Sequence, residues 1–182
     1  MARTIKDIFS VKVEGVGPML QHKYIGKDNI GAVKKLPDAD QAEHYLYRVN
    51  GAGSNIGIPG VHFLGSIVAA FKDSAGRKWK PVEAEAMSRL KINPDMIDLG
   101  FPDFEVDFRV CPIKKAGQIA DMQNIVRPSI PEWQAEFEII SSFDKSEATM
   151  LMELQNAGEN FGIGSGRKIG FGRYKVLSLV KQ

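Results

Sequence analysis

The sequence has little that would support a disulfide framework, a metal site or a membrane span. Its single cysteine, Cys111, cannot form a disulfide within the chain. One Cys and three His residues do not supply the ligands of a zinc finger or ribbon. No apolar run approaches the roughly 18–20 residues that cross a bilayer, and charges interrupt the apolar stretch at the N-terminus, which argues against a secretory signal. We expect a cytoplasmic protein with no membrane partner, no bound metal and no cofactor.

The composition is that of a globular protein. Hydrophobic residues make up 43% of the chain and charged residues 25%, both near globular averages. A length of 182 residues suits one domain rather than two. The segments 19–57 and 112–131 are longer than ordinary connections. We therefore predict a single domain, 1–182, with insertions at about 19–57 and 112–131.

The hydrophobic pattern predicts core elements in the order strand, helix, strand, strand, helix, strand. The predicted strands and helices, in chain order, are 5–13, 59–71, 104–111, 133–140, 146–157 (with Gly158 as its C-cap) and 174–180. A short helix over 40–48 and a further strand over 84–92 are also compatible with the pattern. This order is typical of the α+β class, specifically of the ferredoxin-like, RRM-like βαββαβ core. It predicts a four-stranded antiparallel sheet with both helices on one face.

Two of the predicted strands alternate strictly between apolar and polar residues. They are 104–111 and 133–140, and we expect them to pair as antiparallel neighbours in the four-stranded sheet. Their alternate aromatic residues, Phe108, Trp133 and Phe137, are interpreted as core-facing side chains rather than as stacking platforms.

The most distinctive segment is rich in glycine and basic residues. Six glycines fall between Gly158 and Gly172, and the last 23 residues, 160–182, contain five basic residues and no acidic one. The segment lacks the Gly-Lys-Ser/Thr ending of a Walker A loop, and a strand follows it where a dinucleotide fingerprint needs a helix. Glycine lets main-chain N–H groups approach a polyanion closely. The residues predicted to bind a nucleic-acid backbone here are Gly164, Ser165, Gly166, Arg167, Lys168, Gly170 and Arg173.

Two motifs resemble those of a known family. The run GIGSGRKIGFGRYKV, residues 162–176, resembles the glycine-rich loop of the RAMP superfamily, the repeat-associated proteins of CRISPR effector complexes. The run IPGVHFLG, residues 58–65, resembles the Ile-Pro-Gly-Ser-Ser-Leu-Lys-Gly motif that opens the first helix of the backbone subunits. The chain departs from that motif at Val61, His62 and Leu64, so a phosphate contact there would come from backbone N–H groups at Gly60 and His62.

The resemblance implies an oligomeric RNA-binding protein of an antiviral ribonucleoprotein. Its partners would be single-stranded guide RNA, held by the phosphate backbone, and copies of itself or related RAMP subunits. The segment 112–131 would be the thumb-like hairpin, with Lys114, Lys115 and Arg127 in contact with RNA. These residue types do not distinguish RNA from single-stranded DNA.

Two other functions stay open. The first is a small metal-independent endoribonuclease that processes repeat RNA, with His22, His44 or His62 as a general base, or Asp38 or Asp40 as a cleaving aspartate. The second is a phage-encoded mimic of a CRISPR subunit that inhibits assembly. Isolated His residues and Asp-containing loops more often have structural roles, so we assign no catalytic residue.

Overall fold

The computed structural model describes residues 7–115 and 118–182, with the side chains of 113–120 excluded. The strands of this part are β1 Asp7–Gly15, β2 Met19–Leu20, β3 Gly57–Pro59, β4 Leu90–Asn93, β5 Met96–Asp98, β6 Glu105–Lys115, β7 Gln118–Ile130, β8 Gln134–Ser141 and β9 Tyr174–Lys181. Its α-helices are α1 Lys27–Val33, α2 Asp38–His44, α3 Gly60–Ala75, α4 Trp79–Arg89 and α5 Glu147–Asn156. None of the helices in these residues is long and apolar enough to cross a membrane.

A four-stranded antiparallel sheet is the centre of the fold. Its strand order is β4-β8-β1-β9. The alternate residues Phe9, Val11 and Val13 of β1 are buried, and they lie opposite Ile139, Phe137 and Ala135 of β8. This order and the intervening helices α3 and α5 confirm the predicted α+β, ferredoxin-like class.

The two core helices cover one face of this sheet. Phe63 and Ile67 of α3, and Met150 and Leu154 of α5, are buried in the same cluster as the β1 and β8 side chains. The Phe63 ring lies 4.4 Å from that of Phe137, measured between centroids. Each such side chain contributes about 1.5–3 kcal/mol when it is buried. The packing of Phe63 on Phe137 therefore fixes the position of the first turn of α3 on the sheet.

The ends of the core helices follow their sequences in part. The Ser146 hydroxyl accepts a hydrogen bond from the Thr149 N–H and caps the start of α5. The prediction that Gly158 ends this helix is wrong, because the chain continues as a π-helical turn over Ala157–Phe161 and leaves it at Gly162. Gly158 is buried against Tyr174 instead.

The predicted pairing of 104–110 with 133–139 is wrong, since the two segments lie in different sheets. β6 pairs with β7, which pairs with β2, in a separate three-stranded sheet. The place beside β8 is taken by the four-residue strand β4, and the possible strand at 84–92 is mostly helix α4. Phe108 is accordingly 51% exposed, whereas Trp133 and Phe137 are buried as expected.

The hairpin of β6 and β7 is the arm of the molecule, and it is longer than the predicted 112–131. It is anchored to the body through β2, where Met19 lies opposite Ile130 and Leu20 opposite Ser129. The Gln21 N–H also donates to the Pro128 carbonyl at 3.1 Å. These bonds fix the base of the arm beside the loop that precedes β9.

Candidate nucleic-acid interface

The glycine-rich loop, residues 162–173, connects the end of α5 to β9 and is held by main-chain hydrogen bonds to β2 and to the β1–β2 connection. The Ser165 N–H donates to the Leu20 carbonyl at 2.7 Å, and the Gly172 N–H donates to the Pro18 carbonyl at 2.9 Å. Within the loop, the Ile163 N–H donates to the Gly172 carbonyl at 2.9 Å. The loop is therefore docked on β2 rather than hanging free in solvent.

Close packing against the chain itself explains two of the loop glycines. Gly164 and Gly172 have φ values of +74° and +68°, which other residues rarely adopt. A Cβ on Gly164 would overlap the Leu20 carbonyl oxygen, and one on Gly172 would overlap the carbonyl oxygen of Ile163. Glycine lets the loop pack against β2 at Gly164 and onto its own backbone at Gly172, and close approach of RNA to Gly164 stays a prediction.

The outer part of the loop presents basic side chains to solvent. Arg167 and Lys168 are exposed in a 3-10 turn, and Gly170 follows them with open space where a Cβ would lie. Arg173 lies beneath this turn, where its Nη2 donates to the Arg167 carbonyl at 3.2 Å. The turn therefore exposes the charges of Arg167 and Lys168, and a hydrogen bond from Arg173 stabilises its backbone.

A buried arginine joins the arm to the loop. Arg127 of β7 is only 7% exposed, and its Nη2 lies 3.2 Å from the Asp107 carboxylate of β6. Its Nη1 donates to the Ser165 hydroxyl at 3.3 Å, while its buried Nε has no hydrogen-bond partner in the described residues. On the same strand pair, the guanidinium of Arg109 lies 4.6 Å from the centre of the Phe171 ring. The arm and loop thus meet at a cationic junction that contains one carboxylate.

His62 lies in the first turn of α3, near enough to Arg167 of the loop for that charge to affect its titration. Its ring packs edge-on against Tyr47, with 5.4 Å between centroids. Burial, and in second place the positive charge of Arg167, lowers the pKa of His62 below the ordinary 6.5. The imidazole is therefore neutral at pH 7, and its buried Nδ1 has no partner within the part of the chain that the structure describes.

Several predicted residues are not brought to this junction. Gly60 packs against β4, where a Cβ would lie 3.0 Å from Ile92 Cγ2. Asp38 and Asp40 are exposed in the first turn of α2, not in a loop, and His44 is exposed at the end of that helix. The side chains of Lys114 and Lys115 lie outside the described residues.

The sequence interpretation missed a group of aromatic residues beside the junction. The His22 ring stacks on the Tyr45 ring with 4.4 Å between centroids and 14° between planes. His22 also lies near Arg127, whose charge adds to the effect of burial in lowering the pKa of His22. The signal was the interleaving of His22, Tyr24, Tyr45 and Tyr47 with basic residues over 22–48, a pattern that indicates nucleic-acid contact.

The face of the four-stranded sheet opposite the helices has a different chemistry. A shallow concavity of about 460 Å³ lies there, lined in part by Ser10, Lys12, Glu136 and Glu138. Lys12 forms an ion pair with Glu136 at 2.7 Å. Glu14, near the same edge, is paired with Lys175. RRM domains stack bases on aromatic residues of this face, whereas here the face carries carboxylates, which repel phosphate.

Comparison with known proteins supports the fold that the two motifs imply. No family model and no curated protein matches the chain. Among solved structures, a chain of the cryo-EM structure of the type III-B Cmr-beta bound to cognate target RNA is similar to it, with a TM-score of 0.62 and 10% identity. The shared feature is the fold. The match covers 96% of this chain and 60% of that chain, so this chain spans about 60% of the length of the one it matches.

Proposed function

We propose that this chain is an RNA-binding subunit of a CRISPR-type effector ribonucleoprotein, which holds single-stranded RNA by its phosphate backbone. The observation that carries the proposal is the exposed Arg167–Lys168 turn on a loop that Arg127 joins to the arm. The fold shared with a chain from a structure that contains target RNA supports it further. We also propose that the chain assembles along RNA with copies of itself or with related subunits.

The geometry supports contacts to phosphates through the exposed side of residues 162–173, the glycine-loop face, rather than base stacking on the sheet. Arg167 and Lys168 are exposed and free to move toward a phosphate, while Arg173 and the main-chain bonds to Leu20 and Pro18 hold the turn. Such contacts release counterions and do not depend on base sequence. This face would therefore bind many single strands with similar affinity.

A salt titration tests this proposal. For the double variant Arg167→Ala/Lys168→Ala, the slope of log affinity against log salt should fall by about 1.4, since each phosphate contact on a single strand contributes about 0.7. Affinity should fall to a similar degree for strands of different sequence. Both side chains are exposed, so the thermal midpoint should change little.

The matched control is Lys12→Ala/Lys91→Ala, which removes two cations from the opposite face of the sheet. Lys12 and Lys91 lie 2.7 and 3.7 Å from the carboxylates of Glu136 and Asp95 there, so each cation is accompanied by a negative charge. Their loss should leave the slope unchanged. If the loop variant keeps wild-type affinity and slope, or if the control loses as much slope as the loop variant, the proposed interface is wrong.

A further inference from the structure

A small cleft lies beside the junction, along the segment that leaves β2. Its volume is about 160 Å³, and it is lined by His22, Lys23, Tyr24, Ile25, Ile30, Lys34, Tyr45 and Gln123. The lining combines three rings, two ammonium groups and one amide, contributed by the β2–α1 connection, α1 and its end, the end of α2, and β7. The motifs of the glycine loop and of α3 do not account for this group.

The rings of the cleft are arranged as an open aromatic surface. Tyr45 is buried and stacks on His22, which fixes the plane of the imidazole, while His22 itself is exposed. Tyr24 is 72% exposed. An exposed ring of this size is costly to leave in water, and it has few rotamers to lose when another ring stacks on it. The stack on Tyr45 therefore holds the His22 ring ready for a flat, unsaturated ligand, and the exposed Tyr24 ring lines the same cleft.

The charge and position of the cleft indicate which flat ligand it takes. His22 lies close enough to Arg127 for that charge to affect its titration, and Arg127 donates to Ser165 of the glycine loop. The cleft also begins at His22, two residues after Leu20, whose carbonyl accepts from the Ser165 N–H, so it lies near the loop that carries the proposed phosphate contacts. Burial, followed by Arg127, lowers the pKa of His22, so its ring is uncharged at pH 7 and stacks as a neutral surface.

The cleft itself has the size of a single planar group, and a larger concavity adjoins it and shares Lys23, Tyr24 and Ile25. Pockets for drug-sized ligands have volumes of about 300–1,000 Å³, above the 160 Å³ measured here. Lys23 and Lys34 favour a ligand that carries negative charge nearby, and the Gln123 amide offers both a donor and an acceptor to a polar edge. A nucleobase attached to a phosphate backbone has these properties.

We propose that this cleft binds one unstacked nucleobase of the RNA strand whose phosphates lie on the glycine-loop face, with His22 and Tyr24 as its stacking surface. The inference rests on the proposed function and adds a second type of contact, which depends on the base and not on charge. Stacking on an aromatic side chain tolerates any base, because every base has a π-face.

The test compares a base-containing strand with an abasic one. The probes are a 30-nucleotide oligoadenylate and an abasic ribose-phosphate strand of equal length. The variant His22→Ala/Tyr24→Ala should bind oligoadenylate about 5- to 150-fold more weakly than wild type, the loss expected for one stacked base. It should bind the abasic strand as wild type does. The salt slope should stay unchanged for both, since that slope reports phosphate contacts and the proposed contacts of these two rings are to a base.

Two further variants isolate the stacking surface. His22→Phe/Tyr24→Phe keeps both rings and should retain most of the affinity for oligoadenylate. Leu177→Ala/Val180→Ala removes two exposed apolar side chains from β9, 45% and 57% exposed, and should change neither affinity. A 2-aminopurine in the strand should be quenched by wild type and by the Phe variant, but less by the Ala variant.

The outcomes separate this inference from the function on which it rests. If wild type binds neither strand, both proposals are overturned. If wild type binds both strands equally well with a steep salt slope, the proposed phosphate contacts are supported and the proposed base site is wrong. If the Ala variant loses equal affinity for the two strands, His22 and Tyr24 do not stack on a base, and the inference is likewise overturned.

Discussion

The glycine-loop face and the open face of the four-stranded sheet differ in both charge and construction. The loop face carries Arg127, Arg167, Lys168 and Arg173, and Arg127 is paired there with the Asp107 carboxylate. The open sheet face carries Glu14, Glu136 and Glu138, partly paired with lysines. The core sheet thus contributes little to an anion-binding surface in this molecule, and the connections between its strands provide that surface.

The two faces also differ in how firmly their charges are held. The Arg127–Asp107 pair is almost fully buried and joins two strands to the loop. The Lys12–Glu136 pair is exposed, with side-chain exposures of 42% and 71%. Exposed pairs contribute roughly 0–1 kcal/mol, whereas a buried charge that loses its partner is costly. The loop face is therefore the structurally fixed one.

The largest effect that tests this contrast is expected inside the loop. Gly172→Ala should lower the free energy of unfolding by about 2–5 kcal/mol. The alanine would have to adopt a left-handed backbone conformation, and its Cβ would overlap the Ile163 carbonyl oxygen. The control, Gly170→Ala, also has a positive φ but meets open space, so its loss should be about 1–2 kcal/mol. Urea unfolding measures both. Equal losses would show that the loop is not packed on its own backbone.

The second effect compares the buried and exposed ion pairs. Asp107→Asn keeps the shape of the side chain but removes the counter-charge of both Arg127 and Arg109, and should lower the free energy of unfolding by about 2 kcal/mol. Glu136→Gln removes the exposed pair of the open sheet face, and its effect should stay within about 1 kcal/mol. If the two substitutions cost the same, the junction between arm and loop is no better fixed than the sheet surface.

The fold was predictable where the spacing of hydrophobic residues fitted a single type of secondary structure with one buried face. Helices α3 and α5 and strands β1, β8 and β9 lie close to their predicted positions, because each buries its periodic residues in one core. The pattern failed at β6, since alternation identifies a two-faced strand without stating which strand it pairs with. The possible strand over 84–92 overlaps β4 only at 90–92, because the four residues of β4 are too few to show a period.

The candidate site was predictable to a smaller extent. The basic residues around 167–173 were apparent as a charge cluster, and Arg127 was assigned from the resemblance. The interpretation of glycine was incomplete, since Gly164 and Gly172 face the protein's own carbonyl groups, a contact that depends on the tertiary position of Leu20 and Ile163. The ring stack of His22 on Tyr45 joins residues 23 positions apart, and local patterns do not show such a contact.

The smallest predicted effect is a difference between the two faces in how their residues make the free energy of unfolding depend on pH. Burial, followed by a nearby arginine, lowers the pKa of His22 and His62 below 6.5. The unfolded chain therefore takes up protons first as pH falls, so the stability that these residues contribute is present above pH 6.5 and is lost below it. On the open sheet face, hydrogen bonds from Lys175 and Gln134 lower the pKa of Glu14 below 4.5, so its contribution to stability is lost only below pH 4.5.

His22→Gln/His62→Gln should flatten the decline in unfolding free energy between pH 7 and 5, measured by urea titration. Glu14→Gln should leave that interval unchanged and flatten the decline below it. A histidine variant with the wild-type pH dependence between pH 7 and 5 would show that these rings are not held neutral at the junction.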